Sequence, residues 1–455
     1  MVLHRGPASG EGRRAMRVAF HTLGCKVNQY ETEALREKFS RAGHMIVHED
    51  EAADVYVINT CTVTSLADRK SRQFIRRSRK RNPEAVIAVT GCYAQMKPEE
   101  VASIEGVEIV AGTDEKSSLL PMIEEYMRNH RGAVAVRPYE ELVRYEDLGV
   151  IEAMESRSRA FVKIQEGCNR FCSYCVIPYA RGNVRSRGES EIEEEVRGLL
   201  DRGYREIVLT GINTALYGAD RGSLEIDGLL GRLNRLEGNF RIRLSSLEPT
   251  VIDRTYVQRL LRYDKLCHHL HLSVQSGSDH VLTAMNRGYS RSDYLDIVNV
   301  LREFDPNYGI TTDIITGFPS ETEEDFLDSV RMVQEAGFSR VHVFKYSARE
   351  GTKAARMDAQ VPGEVRARRS RLLTEAAERQ AERFFERSAG ESRQTLFEQE
   401  EDGMVSGYTD NYIKVYAPAQ NISFDRFYEV KLCRKYKDGM LGEIAGQERK
   451  GENNG

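Results

Sequence analysis

Short apolar runs alternate with amphipathic stretches through two long passages of this chain, a rhythm that commits it to parallel sheets covered by helices. In the first passage, from Met16, residues 17–23, 54–59, 86–90 and 107–111 read as strands, and 30–42, 65–81 and 98–104 as helices. The second runs from Arg159 to Ser347, with strand candidates at 160–164, 206–210, 240–244, 269–275, 311–316 and 340–346. After its first strand, Ile192, Val196, Leu199 and Leu200 form one helical stripe, opposite several glutamates. In the fourth strand, Leu270, Leu272 and Val274 alternate with His269, His271, Ser273 and Gln275. Helices cover the apolar side, so Ser273 and Gln275 face the lumen. The expected fold class is α/β: an N-terminal doubly wound parallel sheet, then a partial (β/α)6 barrel.

The cysteines fall on this frame in two sets of three. Cys168, Cys172 and Cys175 occupy one loop after the first barrel strand, at the face where barrels of this kind place their chemistry. The spacing CxxxCxxC supplies one thiolate fewer than a 4Fe-4S cluster normally takes, which leaves one iron open. Cys25, Cys61 and Cys92 each follow a strand of the first sheet. Parallel strands end on one edge, so these thiols should converge and hold a second cluster. Two plainer readings compete. A zinc site would add a ligand from His268, His269 or His271, although structural zinc usually pairs two CxxC knuckles and no second one is present. Buried cysteines can also be mere core residues. Cys267 and Cys433 lack partners by spacing and read as structural thiols.

The loop Glu-Gly-Cys-Asn-Arg-Phe-Cys-Ser-Tyr-Cys, with Tyr174 before its last cysteine, resembles the radical S-adenosylmethionine (SAM) enzymes. That resemblance implies that the open iron binds SAM and that an electron splits its sulfonium to give a 5'-deoxyadenosyl radical. The strings Thr-Leu-Gly-Cys-Lys-Val-Asn-Gln-Tyr-Glu, Asn-Thr-Cys-Thr-Val-Thr and Thr-Gly-Cys-Tyr-Ala-Gln are similar to the N-terminal domain of the methylthiotransferases. Around Cys25 the wording is most similar to the MtaB-type branch, whose substrate is tRNA bearing N6-threonylcarbamoyladenosine beside the anticodon. The implied reaction adds a methylthio group to C2 of that base at position 37, with one SAM as methyl donor and another as radical source. It implies two 4Fe-4S clusters, SAM, and an electron donor such as flavodoxin or ferredoxin. The same chemistry on isopentenyladenosine in tRNA or on a ribosomal-protein aspartate, and a noncatalytic zinc RNA-binding protein, are the alternatives.

By the same resemblance, Thr210, Gly211 and Asn213 would meet the methionine moiety of SAM, Ser245 and Glu248 its ribose, and Ile315 and Gly317 its adenine, with Tyr174 and Gln275 nearby. Each site also reads as an ordinary strand-to-helix turn. Neither glycine motif is a phosphate loop, since no Walker lysine or GxGxxG follows a strand.

Charge gives a weaker signal. Lys plus Arg number 66 against 70 Asp plus Glu, so RNA contact must rest on local patches. Arg69, Lys70, Arg72, Arg76, Arg77, Arg79, Lys80 and Arg81 crowd one helix, as a solvated face or a phosphate contact. Arg181, Arg185 and Arg187 would serve the SAM carboxylate or the RNA backbone. Residues 362–389 read as a charged helix, followed by strands at 394–397, 403–408, 412–416 and 427–433. These form a small β-barrel that resembles the TRAM domain, the likeness lying in Gly407-Tyr408-Thr409-Asp410-Asn411-Tyr412, whose tyrosines would stack on bases or fill the core. The expected organisation is a disordered extension at 1–15, the N-terminal domain at 16–130, a linker at 131–158, the radical SAM domain at 159–388, the RNA-binding barrel at 389–447 and a disordered tail at 448–455. With no apolar span or signal peptide, the protein is expected to be soluble and cytoplasmic, without a membrane partner.

Overall fold

The computed structural model describes residues 15–151, 158–419 and 422–445. The extension before residue 15 and the tail at 448–455, both expected to be disordered, lie outside the described residues, as does 152–157 of the expected linker. The chain divides into two compact units, the first built mainly from residues up to Arg137 and the second from Glu152 onward.

In the first unit, β1 (Arg17–Thr22), β2 (Met45–Val47), β3 (Val55–Thr60), β4 (Val86–Gly91), β5 (Ile109–Ala111) and β6 (Ala133–Ala135) form one sheet in the order β2-β1-β3-β4-β5-β6. Every pair is parallel. β3 and β4 are buried along their whole length, which is why both read as continuous apolar runs rather than alternating ones. On one face pack Leu35 and Phe39 of the helix Lys26–Arg41 with Leu119 and Ile123. On the other pack Phe74 and Ile75 of the helix Ser65–Arg81 with Tyr93. The sheet is thus doubly wound. Two of its strands escaped the pattern reading because they are three residues long, and β6 falls inside the stretch expected as linker.

The second unit begins with β7 (Arg159–Lys163). A two-residue antiparallel pair, β8 (Gln165–Glu166) and β9 (Arg185–Ser186), then brackets the cysteine loop. β10 (Glu206–Thr210), β11 (Arg241–Leu244) with its continuation β12 (Ser246–Leu247), β13 (His269–Leu272), β14 (Gly309–Thr316) and β15 (Arg340–Lys345) complete six parallel positions in chain order. They form two sheets, β11-β10-β7 and β12-β13-β14-β15, linked by a bridge between Ile242 and Leu266. Leu270, Leu272 and Val274 are buried in one core with Ile297 and Leu301 of a covering helix, on the side the alternation assigned to them.

After the helix Gly363–Ser388, β16 (Ser392–Glu401), β17 (Met404–Thr409), β18 (Lys414–Pro418), β19 (Phe427–Tyr436) and β20 (Gly439–Ile444) close a barrel in the order β16-β17-β18-β20-β19. The fifth strand, broken by Gly439 and Gly442, was not anticipated.

A buried charge network joins this small barrel to the N-terminal ends of the large one. Glu206, at the start of β10, accepts hydrogen bonds from Arg241 at 2.6 Å and from Arg243 at 2.8 and 2.9 Å. The same guanidiniums donate to the carbonyls of Tyr408 at 2.8 Å, Thr409 at 3.1 Å and Asp410 at 3.0 Å. Tyr412 lies 4.4 Å, ring to ring, from His269, and Arg243 sits 4.7 Å over its face. Of the two readings of the 407–412 turn, tyrosines stacking on bases or filling the core, the packed one holds: the turn lies under the barrel, at the end opposite the cysteine loop. Burial alone would raise the Glu206 carboxyl, but the charges of Arg243 and Arg241 outweigh it and hold it well below the ordinary glutamate range.

Glu206→Gln should destabilise the second unit by about 3 to 5 kcal/mol in urea unfolding, since it leaves buried guanidiniums uncompensated. In the wild type this contribution is present above the unfolded glutamate's pKa and is lost as pH falls through the depressed folded value. A loss under about 1 kcal/mol would contradict this role.

Candidate active site and metal centres

Because β1, β3 and β4 run parallel, their C-terminal ends share one edge, and Cys25, Cys61 and Cys92 stand just past those ends. Thr60 and Gly91 are partners in register, so Cys61 and Cys92 directly follow paired residues on neighbouring strands. The Cys25 turn closes over them: a Cβ added at Gly24 would lie 3.0 Å from the Cys61 Cβ. Gly91 has φ +94°, and a Cβ there would meet the Thr60 carbonyl oxygen at 2.4 Å, so no side chain fits. Asn28 and Asn59 lock the turns together. The Asn28 amide donates to the carbonyls of Leu23 at 2.9 Å and Thr60 at 3.0 Å, and Asn59 donates to the Asn28 carbonyl at 3.1 Å. Both asparagines lie inside the motif strings, Asn28 in the first turn of a helix and Asn59 in β3, but were not singled out because their partners are brought to them by the fold.

At the barrel mouth, the loop of Cys168, Cys172 and Cys175 is tethered from several sides. Cys168 N–H donates to the Gly182 carbonyl at 3.0 Å and Cys175 N–H to that of Cys172 at 2.9 Å. A donor addresses each sulfur: the Ile177 amide, 3.4 Å from Cys175 Sγ, Arg287 Nη1, 3.2 Å from Cys172 Sγ, and the Arg170 backbone amide at Cys168. Arg287 was absent from the expected site because it lies more than a hundred residues along the chain from the cysteines it serves. Burial pushes the Cys168 thiol up to about 11 and the Cys175 thiol up to about 12. No cysteine of the chain is in a disulfide.

Among the described residues, no three His, Cys, Asp or Glu side chains gather around a point where one metal ion would sit. A cluster needs no such point, since each of its irons takes its own thiolate. The histidines of the zinc reading are engaged elsewhere. His268 bonds Asp305 at 2.8 Å, His269 bonds Thr311 at 3.0 Å, and His271 bonds Asp313 at 3.1 Å.

The expected SAM contacts lie at the same end of the strands. Thr210 Oγ1, Asn213 Nδ2 and Ser245 Oγ are buried polar atoms without a hydrogen-bond partner, an arrangement that suits a polar ligand completing them. Gly211 packs against the Gln165 side chain, whose Oε1 accepts from Asn213 N–H at 2.9 Å. Glu248 is paired with Arg287 at 3.0 Å. A cavity beside the cysteine loop is lined by Tyr174, Cys175, Gln275, Asp313, Ile315 and Phe344. On its rim, Gln275 holds a left-handed backbone with φ +67°, local strain of the kind that clusters at ligand sites. Gly317, with φ +71°, is crossed by the Arg366 side chain where a Cβ would stand.

Arg181, Arg185 and Arg187, expected to face SAM or RNA, are instead interior residues, at most 2 % exposed. Arg181 and Lys163 both pair with Glu166, Arg187 pairs with Glu195, and Arg185 donates to the Leu142 and Arg181 carbonyls at 2.8 and 2.9 Å. On the basic helix, Arg72 pairs with Glu100, Arg79 with Glu108, and Arg77 and Arg81 with Asp50, whereas Arg69, Lys70, Arg76 and Lys80 are exposed.

Two family models match: Uncharacterized protein family UPF0004 over residues 17–112 and the Radical SAM superfamily over 162–333. The chain is 43% identical to the threonylcarbamoyladenosine tRNA methylthiotransferase MtaB of Bacillus subtilis, over 95% of this chain and 97% of that one. It is 34% identical to the tRNA-2-methylthio-N(6)-dimethylallyladenosine synthase of Clostridium tetani, over 93% and 95%. Among solved structures, the radical SAM methyltransferase TsrM of Kitasatospora setae has a similar fold, with a TM-score of 0.58 at 15% identity, covering 75% of this chain and 77% of that one.

In metal-free protein near pH 7.5, iodoacetamide should alkylate exposed Cys25 first, and Cys168 and Cys175 at least about tenfold more slowly, because only thiolates react. Peptide mass spectrometry over time checks this; equal rates at all three would contradict the burial assigned to the loop.

Proposed function

This chain belongs to the MtaB family of threonylcarbamoyladenosine tRNA methylthiotransferases, and from that premise we propose how it works. It replaces the C2 hydrogen of N6-threonylcarbamoyladenosine at position 37 of tRNA by a methylthio group. That C–H bond is too weakly acidic for side-chain acid–base catalysis, so hydrogen removal requires radical chemistry. The observation that carries the reading is the pairing of two incomplete cysteine sets, one at the mouth of a radical SAM barrel and one on the edge of a parallel sheet.

Cys168, Cys172 and Cys175 hold one 4Fe-4S cluster and Cys25, Cys61 and Cys92 a second, each set leaving an iron without a protein thiolate. With SAM bound, the first cluster supplies a carbon-centred radical, and the second serves sulfur delivery. Thr210, Asn213 and Ser245 direct their unpartnered polar atoms to SAM, Gly211 and Glu248 border it, and Ile315 and Gly317 flank its adenine. Tyr174 and Gln275 wall the adjoining cavity and keep water from the reacting atoms. The small β-barrel and the exposed Arg69, Lys70, Arg76 and Lys80 grip tRNA phosphates. A low-potential one-electron carrier such as flavodoxin or ferredoxin reduces the protein, which works in the cytoplasm with its tRNA substrate.

Nucleoside analysis of tRNA from a deletion strain should show N6-threonylcarbamoyladenosine without its 2-methylthio group; loss from dimethylallyladenosine instead would reject the substrate assignment. Purified Cys25→Ala should still cleave SAM while losing methylthiolation. Loss of SAM cleavage with the iron of the Cys168 loop intact would contradict the division of labour.

A further inference from the structure

Arg287 lies in the turn between the helices Asp279–Ala284 and Arg291–Phe304, with its side chain 4% exposed. Its guanidinium is fixed on every side. Nη1 stands 3.2 Å from Cys172 Sγ, Nη2 donates to the Ser273 carbonyl at 3.1 Å, and Nε donates to the Tyr289 hydroxyl at 3.1 Å. Glu248 closes the group, its Oε1 at 3.0 Å from Nη2. A guanidinium keeps its proton in a protein, so a permanent positive charge is held beside one sulfur of the loop.

We propose that Arg287 is a positioning residue that sets the reduction potential of the cluster held by Cys168, Cys172 and Cys175, with Glu248 as its opposing charge. The proposal rests on the reading of those cysteines as cluster ligands. Reduction takes one electron from a low-potential one-electron carrier and adds one negative charge to the cluster and its thiolates. An N–H donor and a positive charge at Cys172 favour that reduced form, since net charge and hydrogen bonds to the sulfurs tune such potentials. The Glu248 carboxylate, at Nη2 of the same guanidinium and 3.5 Å from Arg170 Nε, acts in the opposite sense. In this buried setting neither charge is well screened by water. The two residues therefore have effects of opposite sign, a signature that packing alone would not produce.

The test is a redox titration of the reconstituted full-length protein without SAM, followed by electron paramagnetic resonance of the reduced cluster. A Cys25→Ala, Cys61→Ala, Cys92→Ala background leaves the loop as the one remaining three-cysteine set, beside the structural thiols Cys267 and Cys433. Arg287→Gln should lower the midpoint by a tenfold or greater change in the reduction equilibrium, about 59 mV for one electron. Glu248→Gln should raise the midpoint, and Arg287→Lys, which keeps the charge, should restore most of the loss. Unmoved midpoints, or shifts of the same sign in both charge-removing variants, would overturn the proposal. If Arg287→Gln fails to retain iron, Glu248→Gln decides the sign and Arg287→Lys the charge. A background protein that takes up no iron would overturn the cluster reading itself, a result distinct from a normal signal with an unmoved midpoint.

Discussion

Parallel strands all end on the same edge, and the chemistry of this protein depends on that single constraint. In the first unit it carries Cys25, Cys61 and Cys92, scattered over the sequence, to one edge. In the second it sets the loop of Cys168, Cys172 and Cys175 and the ends of β10, β11 and β14 on one face. No local motif could gather groups from so many elements. The direction of the strands does it without any special contact, and the contacts that exist refine the result.

Those refinements are mostly buried charges, each paired, as burial requires. Glu166 immediately precedes the cysteine loop and Arg181 follows it, so their ion pair staples the two ends of the loop, with Lys163 as a third member. Arg287 ties the middle of the loop to Glu248 at the end of the neighbouring strand. Glu206 and its arginines do comparable work at the opposite end of the barrel, where they hold the small C-terminal barrel in place. A loop that must keep three thiols at a fixed spacing before metal arrives gains more from such a frame than from hydrophobic packing, which is less directional.

The sequence displayed the strand order and both cysteine sets because apolar runs and rare residues are local signals. β2, β6 and β20 stayed hidden, two of them too short to show a period and the third interrupted by glycines. Charge was the least legible property: Arg181, Arg185 and Arg187 look the same in sequence whether they face solvent or pair inside. Tyr408 and Tyr412 gave the same ambiguity, resolved only by the guanidiniums of Arg241 and Arg243 that meet their turn. Asn28, Asn59 and Arg287 were invisible as site residues since their partners are brought to them by topology. Among the residues expected from resemblance to meet SAM, Thr210, Asn213 and Ser245 carry unpartnered buried atoms, a property no sequence pattern reports.

The proposal that two independent three-cysteine sets each hold their own cluster is the centre of this picture. Iron and sulfide counting with Mössbauer spectroscopy, after anaerobic reconstitution, tests it most directly in the full chain and in the Cys25→Ala, Cys61→Ala, Cys92→Ala variant. About eight irons in the first and about four in the second are predicted. Stoichiometric zinc in place of iron, or the same iron content in both proteins, would contradict it.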